Sequence, residues 1–330
     1  MSTYREAGVD QAAADALVPF FAEQASRTRR CSTDADVGGF AGLFDLAAVL
    51  KRYERPQLAV STDTTGTKIE LLREAGLHHT AGWDCVAMNV DDVVCSGAEP
   101  LLFVDCIAIE RLDDEAVREA VRGVADACIE AGCELVGGET AQLPGLLVPG
   151  GYEVMGTCVG VVEADAVWGP HRVRAGDAIV GLAASGLHSN GFSLVRRVLG
   201  SATGPPPDGL LEPTAIYAQR LLEAARSFDV HAVVHVTGGG IPGNLPRALP
   251  DDLGATIDLD AWPRPDVYDW LEGCGVDSDE IRATFNLGLG MLVITPDADT
   301  AVGALTDRGV AAWTVGRVEA GHGLRLAGQT

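Results

Sequence analysis

Glycine limits the fold of this chain more than any other residue. The 40 glycines gather at junctions between apolar runs, as in Gly38-Gly39-Phe40-Ala41-Gly42, Gly137-Gly138 and Gly238-Gly239-Gly240. Glycine accepts the left-handed backbone that tight strand-to-helix turns need, and it lets a turn come close to a ligand. Between these junctions, 58–62, 101–109, 152–162, 178–183, 232–236, 290–294 and 313–318 read as strands. The stretches 12–30, 82–96, 113–131, 192–199, 213–225, 267–274 and 297–308 read as helices. Leu135-Val136 reads as a short strand that ends in the turn Gly137-Gly138-Glu139-Thr140. Strands and helices alternate in both halves, so the expected class is α/β or α+β.

A polar connector containing Pro170 falls near 163–174 and divides the chain into domains 1–168 and 169–330. With 330 residues, 47% of them hydrophobic, there is material for two cores. No apolar run approaches the roughly 18 residues that span a bilayer, and the start of the chain is polar. A cytoplasmic protein without a membrane partner is expected. The eight cysteines form no Cys-x-x-Cys pair and read as small buried hydrophobes. Neither they nor the seven histidines fall at zinc-ligand spacing. A formal net charge of −23 excludes nucleic acid as a general partner. An acidic chain that handles phosphate must neutralise it locally, with a few cations, backbone N–H groups or Mg²⁺.

Several short segments could do this. Lys51 and Lys68 are the two lysines among 24 basic residues, and Lys68 ends Ser61-Thr62-Asp63-Thr64-Thr65-Gly66-Thr67-Lys68. Lysine is a flexible point charge suited to phosphate, and an aspartate after a strand suits a metal. The segment is not a Walker A loop. Asp91-Asp92 lies on a helix, so at most one of the two faces a given site. Glu139 follows two glycines at a strand end, where ligands sit in α/β folds. His188-Ser189-Asn190-Gly191 opens a helix, and His235-Val236-Thr237 leads into Gly238-Gly239-Gly240. Each segment also fits an ordinary role: a solvated lysine, an acidic helix face, a capping glutamate, an N-cap Asn190 or a mobile glycine hinge.

Taken together and in order, these segments resemble the phosphoribosylformylglycinamidine cyclo-ligase, or AIR synthetase, family. The resemblance begins at Tyr4-Arg5-Glu6-Ala7-Gly8-Val9-Asp10 and passes through Gly38-Gly39-Phe40, Asp63 to Lys68 and Gly97-Ala98-Glu99-Pro100. Its most specific parts are Gly137-Gly138-Glu139-Thr140-Ala141, Gly186-Leu187-His188-Ser189-Asn190-Gly191 and His235 to Gly240. It implies a two-domain fold whose N-terminal domains pair into a shared β-barrel in a homodimer, with a C-terminal α/β domain. It also implies closure of formylglycinamidine ribonucleotide (FGAM) to aminoimidazole ribonucleotide, using ATP with Mg²⁺ as cofactor and releasing ADP and phosphate. ATP would activate the formyl amide oxygen, and the amidine nitrogen would then expel phosphate.

By the same resemblance, Asp63, Asp92 and Glu139 would bind Mg²⁺. Gly38, Gly39, Gly42, Thr67 and Lys68 would hold phosphates. His188, Ser189, Asn190, Gly238, Gly239 and Gly240 would hold the substrate. Lys68, His188 and Asp63 would be the catalytic set. Sister ATP-using kinases and synthetases share parts of the pattern, and so would a non-catalytic ATP-binding paralogue. Three positions depart from the family pattern: Thr64-Thr65 replaces Gly-Val, Asp91 replaces a common Asn, and Leu287 replaces a common Cys. If the replaced glycine requires positive φ, Thr64 is expected to be strained.

Overall fold

The computed structural model describes residues 3–30, 39–201 and 204–328. The chain forms two compact units. One runs to Val93 and takes in Ala98–Asp165; the other gathers Val94–Gly97 with the chain from Ala166 onward.

The first unit contains α1 (Gln11–Arg27), α2 (Leu46–Leu50), β1 (Pro56–Thr64), α3 (Lys68–Glu74), α4 (His78–Val94), β2 (Glu99–Ile109), α5 (Asp114–Ala131), β3 (Glu134–Gln142) and β4 (Tyr152–Glu163). Its sheet has the order β1-β4-β2-β3, and β2-β3 is the parallel pair. The ends of α5 are written locally. Asp113 accepts a hydrogen bond from Ala116 N at the start, and Gly132 takes φ 73° at the end. The helices α4 and α5 cross on reciprocal glycines. A Cβ on Gly82 would lie 1.9 Å from Ala120 O, and one on Gly123 1.9 Å from His79 O. Their apolar sides cover one face of the sheet. Phe103 and Cys85 meet above Gly156, where a Cβ would lie 2.1 Å from the Phe103 ring. The opposite face carries Leu58 and Val60, which are 62% and 64% exposed.

The second unit contains β5 (Ala178–Ala183), α6 (Phe192–Leu199), α7 (Ala218–Ala224), β6 (Ala232–His235), α8 (Gly240–Asn244), β7 (Leu253–Asp258), α9 (Asp266–Gly273), α10 (Ser278–Thr284), β8 (Leu289–Thr295), α11 (Ala298–Thr306), β9 (Ala312–Ala320) and β10 (Gly323–Ala327). The sheet order is β10-β7-β9-β5-β8-β6. Every residue of β8 is buried, which explains its unbroken apolar run.

Two local expectations change. Gly137-Gly138-Glu139-Thr140 lies inside β3 rather than in a turn, because β2 supplies a continuous ladder to Gln142. The helix expected over 213–225 begins only at Ala218. Pro213 O accepts from Ser185 Oγ, and Thr214 Oγ1 pairs with Ser189 Oγ, so this segment is held as a loop. The elements α2, α3, α8, α10, β7 and β10 are short or carry too little periodicity to be read from the sequence. Cys85, Cys128, Cys133 and Cys158 are buried as expected, Cys95, Cys106 and Cys274 are only half-buried, and Cys31 lies outside the described residues.

Candidate active site

The β-ladders of the first unit set its carboxylates in rows. Asp63 pairs with Gly156, Gly156 with Asp105, and Asp105 with Gly138. Directly paired residues share a face, so Asp63 and Asp105 lie on the helix-covered side. Glu139 pairs with Cys106, one step along, and therefore belongs to the other face. At the β1 edge, Ser61 Oγ donates to Asp92 Oδ2 at 3.2 Å, and Asp63 Oδ1 accepts from Thr64 N at 2.7 Å. Asp92 is exposed and Asp91 fully buried, so one of the adjacent pair faces outward.

Asp63 and Asp92 are thus near neighbours with hard oxygen donors, which suits Mg²⁺. Glu139 is not brought to them. Three strand spacings separate β1 from β3, roughly 14 Å. Among the described residues no group of three His, Cys, Asp or Glu is gathered as for a metal.

Lys68 sits where the sequence does not place it. Its Nζ lies 2.7 Å from Asp84 Oδ2, and both side chains are 0% exposed. A lysine this deep must be paired, and Asp84 on α4 neutralises it. Thr67, the residue before α3, is exposed. Thr64-Thr65 follows an unstrained path: among the described residues, those other than glycine with positive φ are His188 and Leu287, and the turn falls on Gly66 at φ 71°. Thr65 is buried, and its hydroxyl donates to Ala81 O at 2.6 Å.

Glu153 holds this turn. Its Oε1 accepts from Gly66 N at 3.0 Å. Burial pushes the Glu153 carboxyl up to about 7, and the donated hydrogen bonds offset this only in part. Between the unfolded value and about 7 the folded chain keeps a proton that the unfolded chain has lost. The stabilisation is complete below the unfolded value and is lost as pH rises through about 7. Glu153→Gln is expected to flatten the fall in folding stability from pH 5 to pH 8, by an amount on the order of 2 kcal/mol, read from melting curves across that range. Parallel melting curves for variant and wild type would remove this role.

A cavity of about 710 Å³ lies between α1, the Gly39–Gly42 segment and β3. Asp105 and Glu139 both line it, as do Gly39, Gly42 and Gly138. Two glycines leave room here: a Cβ on Gly42 would lie 2.3 Å from the backbone Val136 O, and one on Gly138 2.2 Å from the side-chain Asp105 Oδ1. Burial pushes the Asp105 carboxyl up to about 7. The sequence offers Asp105 only as a carboxylate beyond Asp91-Asp92 and gives it no site role. Its signal was a lone carboxylate inside an apolar strand run. Gly38 lies outside the described residues.

In the second unit the two glycine-rich loops come together. A Cβ on Gly238 would lie 3.3 Å from Asn190 Oδ1. Asn244 Nδ2 donates to the carbonyls of Gly238 and Gly240, at 3.2 and 2.8 Å, which fixes the triple-glycine turn. Ser189 and Asn190 are partly exposed beside it. His188 is 1% exposed, with φ 60°. Its Nε2 accepts from Ser185 N at 3.2 Å, which leaves the proton of the neutral ring on Nδ1. A Cβ on Gly290 would lie 2.3 Å from His188 Cε1, so only glycine leaves room for the ring. His188 therefore packs inward, and Ser189 and Asn190 are the more accessible polar side chains of the loop.

Known proteins share this arrangement. Residues 44–162 match the family described as AIR synthase related protein, N-terminal domain, and residues 174–329 match its C-terminal domain. The phosphoribosylformylglycinamidine cyclo-ligase of Myxococcus xanthus is 44% identical, over 98% of this chain and 97% of its own length. The enzyme of the same name from Sorangium cellulosum is 46% identical, over 96% and 95%. Among solved structures, HypE of E. coli superposes with a TM-score of 0.69 at 20% identity, covering 95% of this chain and 94% of its own. Thiamine-monophosphate kinase from Stenotrophomonas maltophilia gives 0.66 at 20% identity, over 95% and 96%. These two likenesses establish the fold alone. The full-length relatives at more than 40% identity establish more: this chain belongs to the phosphoribosylformylglycinamidine cyclo-ligase family.

Proposed function

We propose that this chain closes formylglycinamidine ribonucleotide to aminoimidazole ribonucleotide, converting ATP to ADP and phosphate. The observation that carries this reading is the near-end-to-end similarity to enzymes of that name, at 44% identity in the first case. The geometry supports it. Exposed Asp92 and half-buried Asp63 offer hard oxygens to Mg²⁺, which would neutralise the triphosphate. Gly39, Gly42 and Thr67 supply backbone N–H groups to phosphates. Ser189, Asn190 and the Gly238–Gly240 turn receive the ribonucleotide. The barrier would fall mainly through positioning and charge neutralisation. Lys68 and His188 act by shaping their loops from within the core. No helix among the described residues is long and apolar enough to cross a membrane, and we place the protein in the cytoplasm.

The reading includes a homodimer. The exposed face bearing Leu58 and Val60 suits a second sheet, which would close the two into a barrel. Glu139 of the partner subunit would then reach the Asp63–Asp92 edge and complete the metal site. Mixing inactive Asp63→Asn and Glu139→Gln homodimers, with subunit exchange, is expected to restore roughly a quarter of wild-type activity, because half of the heterodimer's sites are intact. Stable heterodimers with no recovered activity would show that each protomer builds its own site.

The function itself is tested by ADP release from Mg-ATP with and without formylglycinamidine ribonucleotide, together with detection of the aminoimidazole product. Both products should appear, and both should depend on that substrate. ADP without aminoimidazole would point to a sister kinase or synthetase.

A further inference from the structure

Among the described residues, two other than glycine have left-handed backbone, and both lie in the second unit: His188 at φ 60° and Leu287 at φ 55°. Such conformations are costly and persist where the surroundings over-determine them. One buried amide links the two. Asn286 is 3% exposed and follows α10 directly ahead of β8. Its Oδ1 accepts from Tyr268 Oη at 2.7 Å and from Gly288 N at 2.8 Å. Its Nδ2 donates to Gly186 O at 2.9 Å, across 100 residues of sequence.

Neighbouring bonds tighten both sides. Trp262 Nε1 donates to Leu287 O at 2.8 Å, and Ala184 N donates to Gly288 O at 2.8 Å. Gly191, at the far end of the loop, lies against the Phe285 ring, where a Cβ would be 2.2 Å away. The loop 185–191 is therefore gripped at both ends by the turn around Asn286. Only an amide meets these demands, because two donors and one acceptor converge on one small side chain. Tyr268, fully buried on α9, fixes which way that amide faces.

We propose that Asn286, oriented by Tyr268, is the positioning residue that sets the 185–191 loop and so aims Ser189 and Asn190 at the Gly238–Gly240 turn. This rests on the reading that the loop receives the ribonucleotide, but the clamp is testable without it. Tyr268→Phe removes one hydrogen bond and keeps the ring. Asn286→Asp removes the donor to Gly186 O and sets two oxygens against each other.

In the full-length chain, amide hydrogen exchange over 185–191 is expected to quicken at least tenfold in either variant, with β5 and β9 unchanged. The KM for formylglycinamidine ribonucleotide should rise about tenfold while the KM for ATP stays within twofold. Unchanged loop exchange in Tyr268→Phe overturns the proposal. So does exchange that quickens equally across the whole unit, which marks general loosening. If Asn286→Asp does not fold, Tyr268→Phe decides alone. If the wild type shows no turnover dependent on this substrate, the functional reading falls, and the exchange data still decide the clamp.

Discussion

Lys68→Ala is expected to destabilise the first unit by about 3–5 kcal/mol, because it strands Asp84 as an uncompensated buried charge. Lys68 and Asp84 are both sealed from solvent, at a separation of 2.7 Å. The pair joins the first residue of α3 to α4, so its loss also frees the Asp63–Thr67 segment. The melting temperature of that unit should fall by roughly 10 °C or more. The double variant Lys68→Met with Asp84→Leu should recover most of this, since an apolar pair of similar volume needs no desolvation. Calorimetry of the three chains separates the roles. If Lys68→Ala melts like the wild type yet loses ATP turnover, the amine serves the phosphate and not the fold.

Asp92→Asn should behave in the opposite way. Asp92 is exposed and accepts from Ser61 Oγ at the surface, so folding should hardly change. Losing a charged metal ligand removes several kcal/mol of charge stabilisation, and a fall in kcat/KM of about 10²–10³-fold is expected. The apparent affinity for Mg²⁺ should weaken as well. Asp91→Asn provides the contrast, because Asp91 is buried and turned away. Its effect should appear in stability, with turnover within a few-fold of wild type. Comparable losses of turnover in the two variants would mean that neither carboxylate is a specific ligand.

The alternation of strand and helix was legible along nearly the whole chain, because it rests on local periodicity and glycine punctuation. Both ends of α5 could be read from Asp113 and Gly132, where one residue does the capping. The strand character of Gly137 to Thr140 could not, because glycine carries no strand preference and the ladder from β2 alone extends it. Asp63 and Asp92 were legible as a pair of candidate ligands, and the packing of β1 against α4 brings them together.

Sequence alone determined the family, the α/β class and the list of polar residues able to meet a phosphate or a metal, since residue type and order suffice for these. Tertiary structure decided which of them face outward. It buried Lys68 and His188, set Glu139 on the far edge of its sheet and placed Asp105 in the cavity wall. The physical reason is that burial and charge pairing depend on residues distant in sequence. Asp84 is 16 positions from Lys68, and Gly186 is 100 from Asn286. No local pattern encodes what stands opposite a side chain once the helices have packed.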